Sequence, residues 1–204
     1  MAIRRFSSSS LTTGSKSSKL WDQETSLGYY ESIATATVDS SGASSITFSN
    51  IPQNYLHLQL RGLIKYTSTS NDRSAITVRF NSDSNNNYSR HEIYATGANV
   101  YPDAATSSNA GRITSVTAPS SHSNYTNIFG VFIGDILDYS STSKNKTSRG
   151  LGGFDANGVS LQNISFCSTS WYNSSTAITS ITLTPDSNNW AQYTQVALYG
   201  IRGA

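Results

Sequence analysis

The residues in this chain that could do chemistry are few and scattered. Histidine occurs three times, at His57, His91 and His122. None is spaced with a second histidine, a cysteine or a carboxylate in the way a metal site requires, so each reads as a hydrogen-bonding surface or interface residue. No G-x-S-x-G nucleophile elbow occurs, and with serine this abundant a Ser–His–Asp grouping carries no information. Asp135 and Asp138 flank a strand end, and Asp22, Glu24 and Glu31 fall near one another. A glycosidase needs two carboxylates facing each other across a cleft, a pairing that spacing does not supply. The run from Asn81 to Asn87 alternates oxygen-bearing side chains but lacks the glycine and closing bidentate glutamate of a calcium loop. Asx-rich turns form without any metal. Cys167 stands alone, which excludes an intrachain disulfide. The residues therefore imply no enzyme, no cofactor and no metal.

Binding is better represented than catalysis. Tyrosine occurs 12 times, and Tyr29-Tyr30, Trp171-Tyr172 and Trp190 with Tyr193 form aromatic clusters. These suit a sugar platform or a subunit interface. The interface reading is preferred, because Tyr and Trp bury area there at low entropic cost. The first twenty residues, MAIRRFSSSSLTTGSKSSKL, are serine-rich and carry Arg4, Arg5, Lys16 and Lys19, with no acid before Asp22. Without apolar periodicity such a segment cannot bury itself against its own domain. An acidic groove on a partner is its natural dock. Arg4, Arg5, Lys16 and Lys19 would meet acidic surface, while Phe6, Leu20 and Trp21 would fill apolar pockets. Packaged DNA fits less well: the net charge is only +2, and no aromatic–basic interleaving continues beyond the arm.

The elements that must position these residues are strands. Charged residues make up 13% of the chain against a usual ~25%, while Ser, Thr, Asn and Tyr abound. From Glu31 onward, short runs of Ile, Val, Thr, Tyr and Phe alternate with Ser/Asn/Gly/Pro clusters, and none has helical spacing. Strands are expected at Ile33–Val38, Ser45–Phe48, Tyr55–Lys65, Ala75–Phe80, Tyr88–Ala95, Ile128–Leu137, Thr147–Phe154, Val159–Ser168, Ile178–Thr184 and Gln192–Ile201. Within Tyr55–Lys65, Leu56, Leu58 and Leu60 point one way and His57, Gln59 and Arg61 the other. The span Asn99–Thr126 reads as mostly loop, with one short strand near Ile113–Val116.

The segment IFGVFIGDIL is apolar on both faces, so it is either central in the fold or pressed against another subunit. Its residues Ile128, Phe129, Val131, Phe132 and Ile133 are the candidate oligomer seam. Some ten short strands without a fixed repeat predict an all-β, jelly-roll-like two-sheet sandwich (residues 31–204) with an extended N-terminal arm and hinge (1–30).

Several blocks resemble virion structural proteins of tailed bacteriophages, those of cyanophages among them. They are Ser45-Ile46-Thr47-Phe48-Ser49-Asn50-Ile51-Pro52 with Tyr55-Leu56-His57-Leu58-Gln59-Leu60-Arg61-Gly62, then Val78-Arg79-Phe80-Asn81-Ser82-Asp83 with Asn87-Tyr88-Ser89. Ile178 to Pro185 and the ending Val196-Ala197-Leu198-Tyr199-Gly200-Ile201 continue the likeness. The resemblance implies a β-sandwich of the capsid decoration (cement) type on the outer surface of the capsid, with the major capsid protein as partner. A homotrimer is expected, and no catalytic residue is carried over. Related sandwiches occur in tails and fibres, so a tail component binding host-surface glycan is the alternative. No secretory signal and no stretch of ~20 apolar residues occurs, so neither export by that route nor a membrane span is expected; release inside a virus particle is one other way out.

Overall fold

The computed structural model describes residues 30–68, 73–115, 118–119, 125, 127–155 and 163–202. The expected arm contacts Arg4, Arg5, Phe6, Lys16, Lys19, Leu20 and Trp21 lie outside these residues, as does His122.

The described residues form strands β1 (Tyr30–Thr37), β2 (Ile46–Phe48), β3 (His57–Tyr66), β4 (Ile76–Phe80), β5 (Tyr88–Thr96), β6 (Asn99–Ser108), β7 (Gly111–Thr114), β8 (Ala118–Pro119), β9 (Gly130–Leu137), β10 (Lys146–Phe154), β11 (Asn163–Trp171), β12 (Ile181–Pro185) and β13 (Gln195–Ile201). Eight of them make one antiparallel sheet in the order β1-β13-β3-β9-β10-β11-β5-β6, with β8 in a short parallel pairing on β3. The second sheet has the order β2-β12-β4-β7. The two pack as a sandwich.

The connections are those of a jelly roll. The chain changes sheet between β1 and β2, β2 and β3, β3 and β4, β4 and β5, β6 and β7, β7 and β8, β11 and β12, and again between β12 and β13. Strands β1-β13-β3-β9 and β2-β12-β4-β7 are the two halves of an eight-stranded roll, and β10, β11 and the β5–β6 hairpin extend the large sheet beyond β9. The sheets therefore differ in width, and the large one overhangs the small one.

Alternation along each strand builds the core. Ile76, Val78 and Phe80 face in while Thr77 and Arg79 face out, as expected. Leu58, Leu60, Ile64, Ile136, Val196 and Leu198 meet Ile46, Phe48, Ile181 and Leu183 from the small sheet. Each such side chain contributes about 1.5–3 kcal/mol by leaving water. Leu56 departs from the expected pattern: it precedes β3 and is exposed.

Strand β7 lies against the inner face of β10 and β11, and glycines make room for it. A Cβ on Gly150 would overlap the Ile113 carbonyl oxygen, and one on Gly134 would stand 2.8 Å from Ile113 Cγ2. The glycines of GVFIGDIL and KTSRGLGGF are thus packing residues rather than turn residues.

The expectation of loop across Asn99–Thr126 is corrected. Strand β6 forms a hairpin with β5 through Gly97, whose φ is +55°. As the edge of the large sheet, β6 buries little and tolerates Pro102, so it lacks the apolar alternation that marks inner strands. The readings of Trp171 and Trp190 as surface or interface aromatics are also corrected. Trp171 and Trp190 are buried in the core. Trp171 packs on Phe80 and stacks with Tyr88 at centroid distances of 5.7 and 6.4 Å, and Trp190 Nε1 donates to the Leu183 carbonyl. Neither can serve as a surface platform; Tyr30, Tyr172 and Tyr193 remain exposed.

Candidate interface on the outer sheet face

In a sheet with one wet face the outward positions should be polar. On the large sheet they are not. The register aligns Leu63 with Val131, Val131 with Gly153, Gly153 with Ile164, Ile164 with Ala95, and Ala95 with Val100. One step along the strands, Ile133, Leu151, Phe166, Ile93 and Pro102 form a second lateral row. The large side chains of both rows are 41–66% exposed. Two adjacent rows, one across six strands and one across five with Arg61 at its β3 end, make one contiguous apolar patch of roughly 600 Å², at the upper end for a monomer's largest patch.

The next row is polar. Tyr199, Gln59, Asp135, Arg149, Ser168 and His91 follow one another across the same strands. Gln59 Nε2 donates to Asp135 Oδ1 at 2.6 Å, and Arg61 Nε donates to Gln59 Oε1 at 2.6 Å. The Arg61 guanidinium also lies 5.5 Å from the ring centroids of Tyr30 and Tyr199. An apolar centre with a polar rim is the anatomy of a protein interface.

The patch has relief. Gly153 leaves a gap between Val131 and Ile164, opening a depression of about 390 Å³ lined by Val131, Ile133, Leu151 and Ile164. A broader one of about 710 Å³ runs between Arg149, Phe166, His91, Ile93 and Pro102. The cross-strand neighbours Leu151 and Phe166 stand between the two. One face thus presents both knobs and sockets.

Of the expected seam residues, Val131 and Ile133 lie in this patch. Phe132 does not: it turns inward, 2% exposed, because strand alternation sends it to the opposite face, where its ring occupies the space above Gly62. Ile128 and Phe129 precede β9 and are half-buried, with Lys65 Nζ 5.1 Å from the Phe129 ring centroid. Of the two alternatives for this segment, the central strand is met, since β9 is central in the sheet; its outward face is also apolar. The sequence reading missed Leu63, Ile93, Leu151, Ile164 and Phe166. The signal was there in β11, where Ile164 and Phe166 are apolar at positions facing away from the core.

Asp83, Cys167 and His57 are engaged by structure. The Asp83 carboxylate accepts from Trp171 Nε1, Asn87 Nδ2 and both the backbone and side-chain nitrogens of Asn85, at 2.8–2.9 Å. Partial burial would raise its pKa, but these hydrogen bonds outweigh burial and hold it below the ordinary carboxylate value. The Asn81–Asn87 loop is thus a lock on Trp171. Cys167 is buried, and burial pushes its thiol up to about 12, far from a reactive thiolate. His57 Nδ1 accepts from the Asp138 backbone N–H at 3.0 Å. Among the described residues no group of three or more His, Cys, Asp or Glu is arranged to hold a metal ion, and no helix is long and apolar enough to cross a membrane. Compared with known proteins, the chain matches no family model, no curated protein and no solved structure.

Proposed function

We propose that this protein is a non-enzymatic decoration protein of a phage head, with a body that self-associates through the outer face of its large sheet. Its basic arm clamps neighbouring major capsid subunits. The observation that carries the reading is the pair of adjacent apolar rows, across six and five strands, on the outer face of the large sheet. The patch approaches the ~800 Å² per partner of a standard stable interface. Its adjoining knobs and sockets fit a second copy of the same chain, and a homotrimer is the expected state. The sequence blocks and the acid-free arm supply the capsid half of the proposal. Three arms on one rigid body act at high effective concentration, so modest contacts at Arg4, Arg5, Phe6, Lys16, Lys19, Leu20 and Trp21 sum to a firm clamp.

Light scattering on the purified chain tests the seam. The expected mass is three times 22.0 kDa, and Phe166→Asp or Leu151→Asp should return it to one copy without loss of folding. Those side chains face away from the core, so only an interface needs them apolar. A monomer at micromolar concentration would overturn the self-association half.

A further inference from the structure

The overhang of the large sheet creates a second site, independent of the outer face. Among the described residues, no strand of the small sheet lies beyond the edge strand β7 to cover the inner face of the β5–β6 hairpin. Its inward residues are polar: Arg90 and Glu92 on β5, and Asp103 opposite Glu92 on β6. Arg112 of β7 reaches across the opening. Its Nη1 lies 2.9 Å from Glu92 Oε1 and its Nη2 3.1 Å from Asp186 Oδ2, while Arg90 Nη2 lies 3.0 Å from Asp103 Oδ2. Behind this network is a cleft of about 290 Å³ lined by Glu92, Ser115, Arg73, Tyr94 and Arg112 among others.

Three residues lining the cleft carry a buried polar atom without a hydrogen-bond partner: Arg112 at Nε, Glu92 at Oε2 and Ser115 at Oγ. The Glu92 side chain is only 1% exposed, yet its Oε2 has no hydrogen-bond partner. Ser115 is 7% exposed, and its Oγ is likewise unpartnered. A buried carboxylate oxygen and a buried hydroxyl left unpaired each cost about 1–3 kcal/mol, which a ligand offering matching groups would recover. One wall is aromatic: the Arg73 guanidinium lies 4.5 Å from the Tyr94 ring centroid, and Tyr94 stacks on Tyr101 at 5.2 Å.

The charges select the ligand. A cation entering would meet Arg112 and Arg73; an anion would meet Glu92, Asp103 and Asp186. A neutral molecule with several hydroxyls meets neither penalty. Its hydroxyls donate to Glu92 Oε2 and exchange hydrogen bonds with Ser115 Oγ. The volume is at the low end for ligand pockets, enough for one ring and too small for a chain. We infer that this edge cleft binds a single neutral sugar residue, with Glu92 and Ser115 as the specificity-determining contacts.

The test is saturation-transfer NMR and calorimetry on the full chain with glucose, galactose, mannose and N-acetylglucosamine, and with inorganic phosphate and calcium as charged controls. At least one neutral sugar should bind saturably in the millimolar range, and neither control should compete. Ser115→Ala, a change too small to disturb folding, and Glu92→Gln should each weaken that binding about tenfold or more, since an unmet buried polar group discriminates strongly. Thermal unfolding of Ser115→Ala should show a midpoint at or above that of the wild type, since the change removes an unpaired buried hydroxyl. No sugar bound at about 50 mM, far above a millimolar dissociation constant, would overturn the inference. Binding that ignores both substitutions, or that phosphate or calcium displaces, would overturn it equally. None of these outcomes bears on self-association, which is read by mass.

Discussion

Asp83 shows how much a single side chain organises here. Its two oxygens serve four donors from Trp171, Asn87 and Asn85, and so fix the largest residue of the core to the loop beside it. An amide in its place offers one acceptor oxygen and turns a donor towards other donors. Asp83→Asn should therefore lower stability by about 1–3 kcal/mol at neutral pH, as read by chemical denaturation. The pH dependence follows in sign. The folded-state pKa of Asp83 is depressed, so its contribution is present above the unfolded value of about 3.9 and lost as pH falls through the folded one. Asp103, held down chiefly by its hydrogen bond from Arg90, works in the same direction. Stability should thus decline as the solution is acidified below about pH 4, and the decline should be shallower in Asp83→Asn. A variant with an unchanged acid limb would contradict the role given to this carboxylate.

At the scale of elements, the glycines of β9 and β10 let β7 lie against the large sheet. Gly150→Ala would drive a methyl group into the Ile113 backbone, and backbone cannot yield as a side-chain tip can. The expected loss is about 2–4 kcal/mol, a strong effect for one added carbon, measured as a fall in unfolding midpoint. The inner strands were legible in the sequence because burial on one face forces alternation: β3, β4 and β9 stand close to where the pattern places them. Strand β6 was not, since an edge strand over an open cleft has nothing to alternate against. The outer patch was legible only in part. Apolar residues on both sides of β9 were visible, but register alone brings Leu63, Ile93, Leu151, Ile164 and Phe166 beside Val131 and Ile133. The tryptophans misled for a related reason. Trp171 ends β11 beside Ser170 and Trp190 follows Asn189 between β12 and β13, settings that read as surface, yet both side chains are buried.

For the whole molecule, the unequal widths of the two sheets organise everything else. The eight-stranded sheet gives the broad apolar outer face on which the proposed self-association rests, and its overhang leaves the polar cleft at the edge. The body is thus a rigid platform, and the basic segment of residues 1–20 is the proposed link to the shell. Removing residues 1–20 should leave the body folded and still associated but abolish its binding to phage heads; normal head binding by the truncated chain would contradict the clamp. The most direct measurement is electron cryo-microscopy of intact particles with and without the protein. Decoration requires its density to repeat over the icosahedral shell as three-fold clusters, with the arm threaded between capsid subunits. Density confined to the tail, or no difference on the shell, would contradict it.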